Sequence, residues 1–321
     1  MLEKPSVSTA LVVGGGTMGA DVAMVLARAG CRTVVMETGE ARRKLLPDYF
    51  ANGMRDLGYA NRVDRLSVAA SLQEIDWQKI DLVIECIPER LDIKQTLFAE
   101  LEKLARPDAL LTSNSSSFPI SDIAGGLKTA DRMLGLHFFM PAHLVPLVEV
   151  ILGKASVHAH GETLVAFMRA CGMVPVLVKK DLPGFLANRL QHALAREAFS
   201  MIDEGIATAE DVDNAVRFGF GFRFLAAGPV MQRDHAGVEV HAAAAATMYP
   251  SLSAATVPSQ ILRDKVAAGK LGMKTGEGFY RWTQESIAAE RERYDNLLRA
   301  GLKLLADELP KIGQDEHSTN K

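Results

Sequence analysis

Two stretches of this 321-residue sequence combine residue types that could do chemistry. The first, Leu134 to Val150, reads LGLHFFMPAHLVPLVEV and is almost wholly apolar. It nevertheless holds His137 near its start and Glu149 near its end, twelve residues apart. An imidazole titrates near neutrality and can take a proton from a hydroxyl. A buried carboxylate can hold the ring's other N–H, fix its tautomer and stabilise the imidazolium that forms. Two plainer readings stand beside this one. A lone histidine in an apolar run is commonly a satisfied core residue, and His143, six residues further on, is a second imidazole that could react instead.

The second stretch is VVGGGTMGADVA, with GxGxxG at Gly14, Gly16 and Gly19 enclosing Thr17 and Met18. The motif alone is weak, because glycines also mark ordinary turns. Here a β-branched run (Ala10 to Val13) precedes it, an apolar-periodic helix follows it, and an acid ends the next strand. Gly14 would allow the tight turn and Gly16 the backbone's approach to a pyrophosphate at a helix N-terminus; Gly19 would let helix and strand pack closely. Glu37, eighteen residues after Gly19, is placed to bond the adenosine ribose hydroxyls and to repel a 2′-phosphate. The expected cofactor is therefore NAD; Arg42, Arg43 and Lys44 keep NADP open, or are a solvated helix face.

The elements that must position these residues alternate. Strands are expected at Ala10–Val13, Thr33–Glu37, Leu66–Ala69, Asp81–Cys86, Leu110–Ser113 and Met133–His137. Helices are expected after Gly19 up to Gly30, over ARRKLLPDYFANGMRDLG with an interruption at Pro47, and around Leu91–Leu104. That alternation favours a doubly wound parallel sheet, an α/β fold. After Pro183 strand signals nearly vanish, and PGFLANRLQHALAREAFSMIDEG opens a helical region. The expected division is a Rossmann domain over 1–182 and an all-helical domain for substrate and dimerisation over 183–321, ending in a frayed tail from Lys311.

Bulk properties exclude several classes. A net charge of −3 gives no reason to expect nucleic acid or an anionic membrane as partner. The uncharged run from Met133 to Val148 is too short and too broken by proline to span a bilayer. MLEKPSVSTALVVGGG lacks the basic start and small-residue cleavage site of a signal peptide. Cys31, Cys86 and Cys171 form no CxxC pair and are expected as reduced thiols of a cytoplasmic protein. No metal site is expected.

Six stretches together resemble the 3-hydroxyacyl-CoA dehydrogenase family: VVGGGTMGADVA, IPERLDIKQTLF, SNSSS, GLHFFMPAHLVPLVEV, DLPGFLANRL and GKLGMKTGEGFYRW. They occur in the family's order from about Leu11 to Trp282. The resemblance implies a Rossmann domain, a helical dimerisation domain and NAD-dependent oxidation of an L-3-hydroxyl group, as in fatty acid metabolism. It implies that His137 is the catalytic base, just past a strand end, with Glu149 its partner on the returning segment. It implies that Ser116 bonds the substrate oxygen and that Asn188, from the helical domain, helps hold the same group. It also implies cofactor contacts for Glu89, Lys94 and Lys274, with Asn114 near the nicotinamide ribose. A serine loop capping a helix, and Glu89 with Lys94 as an ordinary surface pair, are the competing views.

The sequence also departs from the family. HFFNP is here HFFMP, so Met140 replaces a polar amide near His137. In the acyl-CoA enzymes a long helical hairpin after the second strand carries serine and lysine contacts to coenzyme A; an ungapped count puts Gly53 and Ala60 there. Arg42, Arg43, Lys44 and Arg55 could still meet phosphates. The shortened segment resembles relatives that oxidise free 3-hydroxy acids, such as L-carnitine dehydrogenase and the gulonate dehydrogenase/λ-crystallin branch. The leading expectation is an L-3-hydroxyacyl-CoA dehydrogenase. The others are the same chemistry on a small free 3-hydroxy acid or betaine, and an inactive NAD(H)-binding structural protein. A homodimer is expected from the apolar faces of Gly184–Glu204.

Overall fold

A computed structural model describes residues 2–313. By contacts the described chain divides into two units: residues up to Asn188 together with the chain from Ala306, and Arg189–Leu305.

The first unit is built on an eight-stranded sheet: β1 Thr9–Val13, β2 Arg32–Met36, β3 Leu66–Ala69, β4 Leu82–Glu85, β5 Leu110–Ser113, β6 Met133–Phe138, β7 Leu147–Leu152 and β8 Val174–Val178. Their spatial order is β3-β2-β1-β4-β5-β6-β7-β8. The first six are mutually parallel, β7 runs antiparallel to β6, and β8 runs parallel to β7. The order reverses beside β1, which is where open α/β sheets form a crevice for ligands.

Alternation along the strands separates two apolar faces. Ala10 and Val12 of β1 pack with α1 (Thr17–Arg28), α2 (Glu40–Asp56) and α5 (His158–Ala170). Leu11 and Val13 pack with α3 (Leu91–Leu104) and the single turn α4 (Ile120–Ile123). Each such Leu, Ile or Val taken fully from water stabilises the fold by about 1.5–3 kcal/mol. His137 and Glu149 fall on the second face. Inboard of them Gly135 leaves room for Ile151, whose Cδ1 would stand 2.7 Å from a Cβ there.

Three local expectations differ from what is observed. Helix α2 runs unbroken through Pro47; the ring lies on the exposed side, where the carbonyl freed in the preceding turn can be hydrated. Strands β7 and β8 add to the sheet beyond those expected. The tail is docked as far as it is described: Ile312 packs on the first face and the Gly313 N–H donates to Ala170 O. The rest of the expected frayed tail, residues 314–321, lies outside the described residues. The three cysteines are free, and burial pushes the Cys31 thiol up to about 12, as suits inert reduced thiols.

The second unit is helical: α6 (Ala187–Asp203) enters it, followed by α7 (Ala209–Ala215), α8 (Met231–Ala236), α9 (Val238–Met248), α10 (Gln260–Ala267) and α11 (Gln284–Leu304). Capping boxes at Thr208/Asp211 and Thr283/Ser286 start α7 and α11. Phe218, Val230 and Tyr249 are each 70% exposed or more.

Candidate active site

The twelve-residue spacing has a geometric cause. In the antiparallel β6–β7 pair, His137 lies directly opposite Glu149, so their side chains meet across the ladder. His137 is inside β6, one residue before its end, rather than just past it. Nδ1 stands 2.7 Å from Glu149 Oε2, and both side chains are buried. With Nδ1–H donating to the carboxylate, Nε2 carries the lone pair; it stands 3.2 Å from Ser116 Oγ. Phe139 meets the ring edge-on with centroids 4.6 Å apart, and Phe185 lies tilted to it at 5.7 Å.

Glu149 Oε1 accepts the N–H groups of Leu186 (3.0 Å) and Ala187 (2.8 Å), at the start of α6. Positive φ at Gly184 (75°) and Phe185 (50°) turns the chain so that these donors converge on the carboxylate. Burial works to raise the Glu149 pKa, but the His137 hydrogen bond, the two backbone donors and the ring's charge hold it below the ordinary range. No feature of the sequence marks these backbone donors; the nearest signal is the PGF turn at Pro183–Phe185.

Three of the other expected residues, Asn188, Asn114 and Glu89, are hydrogen-bonded near this pair. Asn188 Nδ2 donates to the carbonyl of Ser116 at 3.3 Å. Asn114 Oδ1 accepts the Phe138 N–H at 2.8 Å, extending β5's grip on the residue after His137. Glu89 clasps the serine loop: its Oε1 accepts Ser115 Oγ–H (2.6 Å), Ser116 N–H (3.1 Å), Ser117 N–H (3.0 Å) and Ser117 Oγ–H (2.8 Å). Burial opposes its ionisation, yet the Ser115 and Ser117 hydroxyls, the Lys94 charge and the Ser117 N–H pull its pKa down to about 2. Lys94 is no surface residue; its side chain is 1% exposed, with Nζ 2.7 Å from Glu85 Oε1 and 3.2 Å from Glu89 Oε2. His143 is engaged elsewhere. Its Nδ1 lies 3.0 Å from Asp21 Oδ2 on α1, an ion-pair distance at an angle poor for a hydrogen bond. Met140 is exposed on the β6–β7 loop. Lys274 belongs to the helical unit, exposed on a turn closed by the Gly272–Glu277 bridge.

The glycine motif shapes a crevice of about 590 Å³, lined by Gly14, Gly16, Thr17, Met18, Glu37 and Pro88 among others. Gly14 has φ 106°, a turn that L side chains rarely adopt. A Cβ at Gly19 would stand 1.9 Å from Gly14 O, whereas one at Gly16 would meet nothing within 4 Å. The floor under α1 is therefore tight and the face at Gly16 is open, which suits a pyrophosphate. Glu37, at the crevice rim, accepts the N–H groups of Gly15 (2.9 Å) and Gly39 (2.7 Å). Its charge there disfavours a 2′-phosphate.

A family model described as "3-hydroxyacyl-CoA dehydrogenase, NAD binding domain" matches residues 9–182, and one for the "3-hydroxyacyl-CoA dehydrogenase, C-terminal domain" matches 184–282. The chain is 31% identical over 290 residues to 5-formyl-3-hydroxy-2-methylpyridine 4-carboxylate 5-dehydrogenase of Mesorhizobium japonicum, covering 88% of this chain and 94% of that one. It is 33% identical over 287 residues to the mitochondrial hydroxyacyl-coenzyme A dehydrogenase of Homo sapiens, covering 84% and 90%. A crystal structure of the same pyridine-carboxylate dehydrogenase, described as an NAD+-dependent dismutase, superposes with TM-score 0.89 at 29% identity, covering 94% and 99%.

Proposed function

This chain belongs to the 3-hydroxyacyl-CoA dehydrogenase family and is an NAD-dependent oxidoreductase, and from that premise we propose that it oxidises a small carboxylate-bearing alcohol or hydrated aldehyde presented free rather than as a coenzyme A thioester. The observation that carries this reading is the segment between β2 and β3. It is one helix and a short 3₁₀ stretch, Ala60–Arg65, with no helical hairpin. Gly53, at a place where the family offers a coenzyme A contact, faces inward, and a Cβ there would stand 2.4 Å from Met24 Sδ. The four cations of α2 are already engaged, as is Arg62 of the 3₁₀ stretch, which holds Arg28 O. Arg42 holds Gly15 O, Arg43 holds the Glu37 and Thr38 carbonyls, Lys44 pairs with Glu40, and Arg55 holds Asn52. The pyridine-carboxylate relative, whose name describes an aldehyde-bearing free acid, supports the same class.

The chemistry follows from the site. NAD supplies the hydride acceptor when bound. The substrate hydroxyl proton passes to His137 Nε2 as the C–H hydride leaves and the C=O bond forms. Ser116 Oγ–H, beside Nε2, is placed to donate to the substrate oxygen, with Asn188 fixing the Ser116 backbone. Glu149 stabilises the imidazolium without taking its proton, because three donors hold it as a carboxylate. The pair, complete with its hydroxyl, argues against an idle scaffold. Exposed apolar residues on the helical unit support a homodimer, and free thiols support a reducing, cytoplasmic setting.

A second reading, oxidation of an L-3-hydroxyacyl-CoA, is favoured by GKLGMKTGEGFYRW and by the identity to the human mitochondrial enzyme. NADH-linked reduction of acetoacetyl-CoA, free 3-keto acids and a pyridine carbaldehyde bearing a carboxylate separates the two. Saturation by a free acid is expected; saturation by acetoacetyl-CoA alone would make the second reading the correct one.

A further inference from the structure

Glu85 is the last residue of β4, and its side chain is fully buried. At the same level of the neighbouring strand β1 stands Val13, which meets the same interior with an apolar group. A carboxylate there must be compensated in full. Glu85 Oε1 accepts Lys94 Nζ–H (2.7 Å) and the Ile87 N–H (2.7 Å), and Oε2 accepts Ser113 Oγ–H (2.5 Å).

Both side-chain partners lead to the same loop. Ser113 lies beside Glu85 in the β4–β5 register, and its Oγ accepts the Ser115 N–H at 3.1 Å. Lys94, buried with Glu85, reaches Glu89 at 3.2 Å, and Glu89 clasps Ser115, Ser116 and Ser117. The loop so held presents Ser116 Oγ to His137 Nε2.

We propose that Glu85 is a positioning residue for Ser116, acting through Ser113 on one route and through Lys94 and Glu89 on the other. The assignment rests on the reading of His137 and Ser116 given above and extends it inward to a residue that no motif marks. A buried ammonium–carboxylate pair is a costly way to stabilise a strand end, since an apolar pair of like volume does as well. Its use here is directional: one hydrogen-bonded route and one that passes through an ion pair fix the loop's place where packing alone would leave it free to slide. Removing the Glu85 charge leaves Lys94 with Glu89 as its one carboxylate. The ammonium then competes with the serine donors for Glu89, and the clasp loosens.

The test uses Glu85→Gln and Ser113→Ala, each alone and combined with Ser116→Ala. Turnover is followed with NADH and whichever keto probe of the previous section reacts. Glu85→Gln is expected to lower kcat about tenfold with KM for the ketone little changed, a loss confined to the transition state. In the Ser116→Ala background the same substitution should cost no more than about twofold, because the route it serves is already gone. Ser113→Ala, which leaves the ion pair intact, should show the same non-additivity with a smaller loss, and it carries the test if Glu85→Gln does not fold. Losses that multiply would reduce Glu85 to a support of the fold and overturn the proposal. NMR of the NADH-bound protein with 15N-labelled histidine gives a readout independent of substrate. Movement of the His137 ring nitrogens in either variant supports the positioning role, and unmoved resonances overturn it. Should none of the keto probes react, the substrate reading fails and the ring resonances alone decide the role of Glu85.

Discussion

The β6–β7 hairpin and the α2 segment make opposite use of charge. At the hairpin a carboxylate is sealed from water and both its oxygens are answered, and the imidazole that answers one of them is left with a lone pair to use. Along α2 the charges sit near solvent and cancel one another or cap local carbonyls, as Lys44 with Glu40 and Arg42 with Gly15 O do. Buried charge is expensive, so it is kept where it does something specific. Exposed pairs are worth little and leave their surroundings free to change. On the proposed reading, the reaction is set by the interior of the sheet, and what is admitted to it by the segments outside.

Substitutions at the hairpin should break that contrast hardest. His137→Gln is expected to lower kcat by about 10²–10⁴-fold while NADH fluorescence titration shows unchanged binding; near-normal turnover would show that the base is another group. Glu149→Gln should cost about 10–100-fold, since it leaves the ring without its charged partner. The same variant carries a pH signature. The Glu149 pKa is depressed in the fold, so its contribution to stability is present above the ordinary carboxylate value of about 4.3 and fades as pH falls through the lower folded value. Urea midpoints of wild type and Glu149→Gln should therefore differ at pH 7 and converge in acid; a gap that stayed constant to pH ~3 would mean that the carboxylate is not ionised in the fold.

Substitutions along α2 should act on stability or on nothing. Gly53→Ala forces a methyl onto Met24 and should lower stability by about 1–3 kcal/mol, read from urea unfolding, with kcat unaltered. Arg55→Ala should change kcat/KM for a free keto acid by less than about twofold, as an exposed side chain bonded to its own helix would. A rise in KM for acetoacetyl-CoA in that variant would mean that the segment does hold a coenzyme A phosphate.

Much of the sheet was legible because parallel strands buried on both faces, such as Leu82–Glu85, read as short runs rich in apolar residues; Leu110–Ser113 and the edge strand Leu66–Ala69 are observed with the expected bounds. Strand β8 was hidden by Pro175 within an edge strand where no central ladder forbids it. Strand β7 was hidden because its run, Leu147–Leu152, follows Pro146 and carries a glutamate at its centre. At the site, side-chain chemistry announced itself: an imidazole and a carboxylate in an apolar stretch have few reasons to be there. Backbone chemistry did not. The N–H groups of Leu186 and Ala187 belong to residues of no chemical distinction, and only the turn at Gly184 and Phe185 aims them. Glu85 carries no mark in the sequence for a similar reason: it is one acid inside VIEC whose partners come from β5 and α3.

Pairing His137 with Glu149 across an antiparallel ladder has a consequence for how this scaffold can be altered. Cross-strand partners are set by hydrogen-bonded register, while the chain between them, 139–146, merely has to return. Lengthening or shortening that return, Met140 included, leaves acid and imidazole facing each other. A one-residue shift within β7 would instead bring Val148 or Val150 opposite the ring and turn the glutamate to the far side of the sheet. The rim can therefore be recut for a new molecule while imidazole and carboxylate keep their places.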